Sequence, residues 1–377
     1  MRILFLDTEP ILRGAQVFIS ELSYFIAKLG HEVKVVYLYQ DSLKESSVHM
    51  PAMNCDNLDG IKNSFSERAL GLDSRLIINL VDVVNRFNPE IVLCNGSSTL
   101  KYAVAAKHFV KSKPCWIARW IDDAVFWNPG LVSKLIYKNL IMSQFDACIG
   151  VSKASLESMI QHYDFKKPSR VIHRVFDPMK FQHALSREEA RRSLGFEEKD
   201  EILLFLGNLT PQKRPDRFIE IVQKLAKTRP NIKAIIVGDG TLGVSIKSQI
   251  SNLKSKIFFY GYQQDVSPYL SAADILVLTS DTEGLPGVVL EAAYFAVPTV
   301  ATEVGGIAEC LIDGETGLLV PDRSVDAFCH KIETLLADPI FRTHLGTNAK
   351  KFTSQHFRMD QVAQQYLGFL QQIINQP

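Results

Sequence analysis

The chain is 377 residues long, 46% apolar and 22% charged, with a formal net charge of +1. This length accommodates two domains with separate cores, and the near-neutral balance excludes a broad nucleic-acid-binding surface. The charge is uneven, however: residues 101–175 hold 12 Lys/Arg against 5 Asp/Glu, a composition that fits solvated helix faces and equally an anionic acceptor or peripheral contact with an anionic membrane.

Residues 2–7 predict a first strand, and Val17, Phe18, Leu22, Phe25, Ile26 and Leu29 follow at helical spacing. Gly30 ends that helix, and 31–37 predict a second strand, which gives a Rossmann-type β-loop-α-β opening. Gly14, at the head of the helix, is where a phosphate could approach backbone N–H groups. Residues 41–66 are polar and without period, and they predict a loop or an acceptor-side insertion. A helix to about Phe87, then strands at 90–94, 115–120, 146–150 and 170–172, continue the alternation, with Ser152 placed to cap a helix. Strands alternating with helices predict a mainly parallel α/β sheet.

The character changes over 173–200, where a domain boundary is expected at 175/176. A second alternation follows, with strands at 201–207, 232–237, 257–260, 275–278, 299–300 and 318–320. From Val325 the pattern is helical nearly to the end. The six cysteines form no C-x-x-C pair and read as reduced core residues, not as a disulfide framework or zinc site. The short apolar run Ile3–Leu6 does not make a secretory signal and no run reaches membrane-spanning length, so a cytoplasmic protein is expected, with peripheral contact at the inner membrane face left open.

Chemistry concentrates where strands of the second half end, the crevice in which open parallel sheets bind ligands. Thr282-Glu283-Gly284-Leu285-Pro286-Gly287-Val288-Val289-Leu290-Glu291 runs from a buried strand into a helix. Its glycines let backbone approach a ligand, and the free N–H groups of the first turn make an anion site. Carboxylates beside an anion site suit a ligand that also offers hydroxyls, as a sugar joined to a diphosphate does. Gly207-Asn208-Leu209-Thr210-Pro211-Gln212-Lys213-Arg214 places Lys213 at a helix start, where a cation is disfavoured unless an anion meets it. Val237-Gly238-Asp239-Gly240 is a further strand-to-helix turn, and Glu303-Val304-Gly305-Gly306 brings bare backbone to a strand end.

These stretches, with Asp313-Gly314-Glu315-Thr316-Gly317 after them, resemble the retaining glycosyltransferases of the GT4 type, the glycosyl transferases group 1. The resemblance implies the α/β GT-B fold, two Rossmann-like domains facing a central cleft: residues 1–175 on the acceptor side, 176–377 for the nucleotide sugar. It also implies that the last helix, about 358–377, crosses back to the first domain. Carried over, Glu283 lies against the donor sugar, Glu291 accepts from the ribose, Lys213 meets the diphosphate, and the base rests near Tyr262. Gly14, Asn208, Arg214 and the backbone of Leu285, Gly287, Val288 and Val289 complete the expected donor site.

The chain departs from the family pattern in four places. Arg13 stands where a first glycine is usual, and Asn208 replaces an Arg, with Arg214 next to it as a substitute cation. His173 and Arg174 replace Asn-Gly in the linker, and no His follows the strand at 115–120, where Arg119 or Asp122 is left to position an acceptor. The implied activity is transfer of a hexose from a nucleoside-diphosphate sugar, as substrate, to a hydroxyl on a glycan, lipid-linked glycan or small molecule. No cofactor or metal is expected, since neither an Asp-x-Asp nor an H-E-x-x-H occurs. A nucleotide-sugar-binding scaffold or regulatory subunit, or a nucleotide-sugar epimerase, stands as the alternative. An NAD dehydrogenase is disfavoured by the lack of G-x-G-x-x-G after the first strand.

Overall fold

Arg2–Asp7, Glu32–Tyr39, Cys55–Gly60, Ile91–Asn95, Cys115–Trp120, Ala147–Gly150 and Ser169–Val171 (β1 to β7) form one sheet in the order β3-β2-β1-β4-β5-β6-β7. Every pairing in it is parallel. The computed structural model describes residues 1–10, 14–40, 54–62, 71–128, 130–176, 178–253 and 255–375. Arg13 and the greater part of 41–66 therefore lie outside the described residues.

Within 41–66 the structure corrects one expectation: Cys55–Gly60 is a strand, not a loop. It pairs with β2 alone, at the sheet edge, and only Leu58 among its side chains enters the core. An edge strand with one buried apolar residue carries no alternation to read. The central strands, such as Ile91–Asn95, Ala147–Gly150 and Ile275–Leu278, are buried throughout and read as continuous apolar runs, whereas the other edge strand of the first sheet, Ser169–Val171, has no buried residue.

Glu201–Leu206, Ile232–Val237, Ile257–Gly261, Ile275–Leu278, Thr299–Thr302 and Gly317–Val320 (β8 to β13) form the second sheet, in the order β10-β9-β8-β11-β12-β13. It is also wholly parallel. The chain divides into two units, Met1–Val175 with the last helix, Met359–Ile374, and Phe176–Arg358. In both sheets the order reverses once, between β1 and β4 and between β8 and β11. Such a reversal splays the connections to opposite faces and opens a crevice at the carboxyl ends of the two central strands.

The last helix joins the first unit through a specific set of contacts. Met359, Val362, Ala363, Tyr366, Phe369, Leu370 and Ile373 make its buried stripe at helical spacing. The Tyr366 ring lies 6.1 Å from that of Phe18, on the helix Gly14–Lys28. Arg119 Nε donates to the Tyr366 hydroxyl oxygen at 2.9 Å, and its Nη1 donates to Asn95 Oδ1 at 2.7 Å. Asn95 Nδ2 in turn donates to Asp7 Oδ2 at 2.8 Å, so the first sheet's reversal point is bound to the last helix.

Local signals set several helix ends. Ser152 and Ser155 make the reciprocal cap that starts Lys153–Tyr163. Ser186 and Glu189 do the same for Arg187–Leu194, which Gly195 closes in the left-handed region. Of the cysteines, Cys94, Cys148, Cys310 and Cys329 are buried and none is in a disulfide, whereas Cys55 is exposed on the edge strand.

Candidate functional site

The second sheet's reversal point holds the candidate site. After β8 the chain turns at Gly207, makes a short 3-10 turn at Pro211–Lys213, and enters the helix Pro215–Leu225 through Arg214 in the left-handed region (φ 50°). After β11 it runs through Ser280 to Glu283 and into the helix Gly287–Tyr294. The two loops are bolted together. Asp281 N donates to Gln212 O at 2.8 Å, Gln212 Nε2 donates to Thr282 O at 2.9 Å, and Thr279 Oγ1 donates to the Arg214 carbonyl at 2.8 Å.

That frame sets Lys213 Nζ 2.5 Å from Glu283 Oε1. Ser280 Oγ donates to the same oxygen at 2.6 Å. No hydrogen bond from the described residues reaches Glu283 Oε2. The carboxylate is only 5% exposed, so its charge is held by one ammonium and one hydroxyl in a partly dry setting. Gly305 fixes the backbone beneath it: at φ 54° a Cβ there would stand 1.8 Å from the Glu283 carbonyl oxygen. Gly306 N donates to that same oxygen at 3.3 Å. Gly305 is thus packed against Glu283 rather than presented as bare backbone. Gly238 plays a comparable part between the neighbouring loops, where a Cβ would stand 2.0 Å from Gly207 O.

Pro286 precedes the helix Gly287–Tyr294, and no side chain caps that end. Within that turn Val289 N donates to Pro286 O at 3.2 Å, so of the expected Leu285–Val289 contribution the amides of Leu285, Gly287 and Val288 are left for an anion. Glu291 sits one turn inside the same helix, where its Oε1 accepts from Lys180 Nζ at 2.8 Å. Lys180 in turn lies over the Phe176 and Phe181 rings, at 5.3 and 4.8 Å. Asn208 is exposed on the loop after β8, and Tyr262 is half-exposed just beyond β10.

Two expected site residues are engaged elsewhere. The Arg214 guanidinium grips Asp216 through Nε at 3.0 Å and Nη2 at 2.8 Å, with Asp281 at 3.3 Å from Nη1. It stabilises the loop and is not the free cation expected to stand in for Asn208. Arg119 is 1% exposed and bonded to Asn95 and Tyr366, with Phe18 4.4 Å beneath it. A guanidinium so enclosed anchors the last helix and does not meet an acceptor. Gly14 does head its helix, with Arg174 lying directly over it, so that a Cβ on Gly14 would be 2.4 Å from Nη1.

Sequence reasoning missed Ser280 and Lys180 as parts of the site, and it gave Gly305 a different part, bare backbone rather than packing against Glu283. Ser280 carried a signal, three residues ahead of Glu283; Lys180 is 111 residues from its partner and carried none. Among the described residues no three His, Cys, Asp or Glu lie together as metal ligands.

Two doubly wound parallel units in one chain are the GT-B architecture, and solved structures of that class align along the whole length. A crystal structure of Anabaena Alr3699/HepE in complex with UDP-glucose matches with a TM-score of 0.81 at 21% identity, over 99% of this chain and 100% of that one. The family model "Glycosyltransferase Family 4" matches residues 12–180 and the model "Glycosyl transferases group 1" matches residues 186–352. The chain belongs to the GT4-type glycosyltransferases. Among curated relatives, N-acetyl-alpha-D-glucosaminyl L-malate synthase of Bacillus anthracis is 27% identical over 58% of this chain, and the match spans only 59% of that protein. The Campylobacter jejuni GalNAc-alpha-(1->4)-GalNAc-alpha-(1->3)-diNAcBac-PP-undecaprenol alpha-1,4-N-acetyl-D-galactosaminyltransferase is 26% identical over 92% of this chain and 87% of that protein.

Proposed function

We propose that this protein is a retaining glycosyltransferase that moves a hexose from a nucleoside-diphosphate sugar to a hydroxyl of a glycan or lipid-linked glycan. The observation that carries the reading is the Lys213–Glu283 pair at the second reversal point, beside a helix whose first turn has no side-chain cap. In this reading the unit Phe176–Arg358 takes the donor and the unit Met1–Val175 reads the acceptor.

Lys213 and the first-turn amides of Gly287–Tyr294 hold the diphosphate and stabilise its charge as the C1–O bond breaks. Glu283 orients the sugar through its hydroxyls, and Ser280 keeps that carboxylate aimed. Glu291 accepts from the ribose, and Tyr262 lies where the base would rest. Attack comes from the face the diphosphate leaves, which retains the anomeric configuration with no covalent intermediate. The donor is a substrate, and the reading uses no cofactor or metal.

The bound UDP-glucose of the Anabaena protein and the N-acetylgalactosaminyl transfer in the Campylobacter enzyme's name support a UDP-hexose donor and a role in glycoconjugate or polysaccharide synthesis. The basic stretch 101–175 adds peripheral contact with an anionic membrane to the reading. Incubation with α-linked UDP-hexoses and a glycan acceptor, with the product anomer assigned by NMR, tests it. An α-linked product supports the reading, and a β-linked product contradicts retention.

A further inference from the structure

Eight of the 18 large hydrophobic side chains exposed among the described residues lie between Val125 and Leu140. Such a concentration is unlike the scattered exposed apolar residues of an ordinary surface. They sit on the one-turn helix Ala124–Trp127, the helix Leu131–Ile136 and the π-helical turn Tyr137–Ile141. Neither of the last two segments has a buried residue. Leu131 and Leu135 stack one turn apart, as do Val132 and Ile136, so four apolar side chains share one stripe. Leu131 and Val132 are 71% and 72% exposed.

The segments are nonetheless held in place. Asn128 Nδ2 donates to the Tyr163 hydroxyl at 3.0 Å, Ser133 bonds Asn128, and the Tyr137 ring stacks on Tyr163 with centroids 5.6 Å apart. The protein therefore fixes the backbone of this region and leaves its apolar side chains outside.

The charge around the stripe selects the occupant. From Ala124 to Phe145 there is no acidic residue, and Lys134 and Lys138 rise from the same segments. Of the carboxylates that border this stretch, Asp123 caps the helix Ala124–Trp127, accepting from Val125 N at 2.9 Å and Ser158 Oγ at 2.7 Å, and Asp164 is balanced by Lys138 at 3.1 Å and Lys166 at 3.6 Å. A second copy meeting this face about a two-fold axis would set its lysines against these and repel. An anionic lipid surface has the opposite sign and accepts Trp127 and Phe126 at headgroup depth, with lysine stems lying along the apolar layer. No helix among the described residues is long and apolar enough to cross a membrane, so the contact is one of lying on the surface.

We propose that Phe126, Trp127, Leu131, Val132, Leu135 and Leu140, with Lys134 and Lys138, form a face that inserts shallowly into an anionic bilayer. This deepens the membrane-contact part of the proposed function and is tested apart from sugar transfer, because vesicle binding is read with no donor present.

The experiment is co-sedimentation of the full chain with vesicles of phosphatidylcholine containing about 30% phosphatidylglycerol, and with phosphatidylcholine alone. Two variants are compared, Trp127→Ser with Leu131→Ser, and Lys134→Glu. The wild type is expected to pellet with the anionic vesicles and to be released by salt. The double variant is expected to lose partitioning at least about tenfold, and Lys134→Glu about fivefold or more. Melting temperature and UDP binding on each variant show that the fold and the donor site survive. Wild-type protein left in the supernatant with anionic vesicles overturns the proposal, as does equal partitioning of the folded double variant. A wild-type dimer that the double variant converts to monomer, without vesicle binding by either, assigns the face to self-association and also overturns it.

Discussion

Lys213 and Glu283, 70 residues apart in sequence, meet at 2.5 Å between Nζ and Oε1. The ammonium comes from the loop after β8 and the carboxylate from the loop after β11, so the pair spans the point where strand order reverses. Each group holds the other in place before any donor arrives. Preorganised charge of this kind acts in the transition state without reorganisation at the moment of reaction.

Replacing Lys213 by Met removes the compact charge proposed to face the diphosphate and keeps the stem. Turnover of the nucleotide sugar is expected to fall about 100-fold or more, and UDP affinity to weaken with it. Steady-state kinetics and calorimetric UDP titration check both, and an unchanged kcat/KM would remove Lys213 from the site.

Glu291 and Lys180 make a second pair, at 2.8 Å, on the helix that follows the anion-ready turn. Glu291→Ala is expected to raise donor KM about tenfold or more, with kcat much less affected. Lys180→Ala, which leaves the carboxylate in place but unsteered, is expected to raise KM by a smaller factor. A donor KM unchanged in Glu291→Ala would end the ribose assignment.

Gly305 is placed where no side chain fits. Gly305→Ala would combine a left-handed backbone with a Cβ 1.8 Å from the Glu283 carbonyl oxygen. A loss of roughly 2 kcal/mol or more in unfolding free energy is expected. Activity should drop even where the protein remains folded, because Glu283 must shift. Urea unfolding and kinetics on the same preparation check this.

Asp7, at the first reversal point, is wholly buried, and desolvation pushes its carboxyl up to about 6 despite hydrogen bonds from Thr8 N, Asn95 and Gln16. A raised folded value means the neutral form favours folding. Its contribution is therefore fully present below about pH 4 and is lost as pH rises through 6. Between about pH 4.5 and 7.5 this group is expected to remove about 2 kcal/mol of stability. Asp7→Asn abolishes the titration, so the stability difference between variant and wild type should move in the variant's favour over that range. A difference that stays flat with pH contradicts the assignment.

Much of the fold was legible because strands covered on both faces leave uninterrupted apolar runs, from Ile202–Leu206 to Leu318–Val320. Glu283, Glu291 and Lys213 were legible as site candidates because turn chemistry and strand ends mark them locally. The edge strand Cys55–Gly60 was not, since an edge needs only one buried side chain. Arg119 misled for a different reason. A charged residue at a strand end invites a functional reading, but its partner Tyr366 lies 247 residues away and no local pattern announces it. Arg214 misled as well, its charge taken up by Asp216, two residues on, and by Asp281 from the loop after β11. Charge type is visible in a sequence; what already satisfies the charge is a tertiary fact.

The central claim is that Glu283 acts on the sugar and not on the nucleotide. Glu283→Gln, assayed for UDP-hexose turnover and for UDP affinity on the same protein, tests it most directly. Turnover is expected to fall about 100-fold while the Kd for UDP changes less than about threefold. Equal losses in turnover and UDP affinity, or full turnover in the variant, would contradict it.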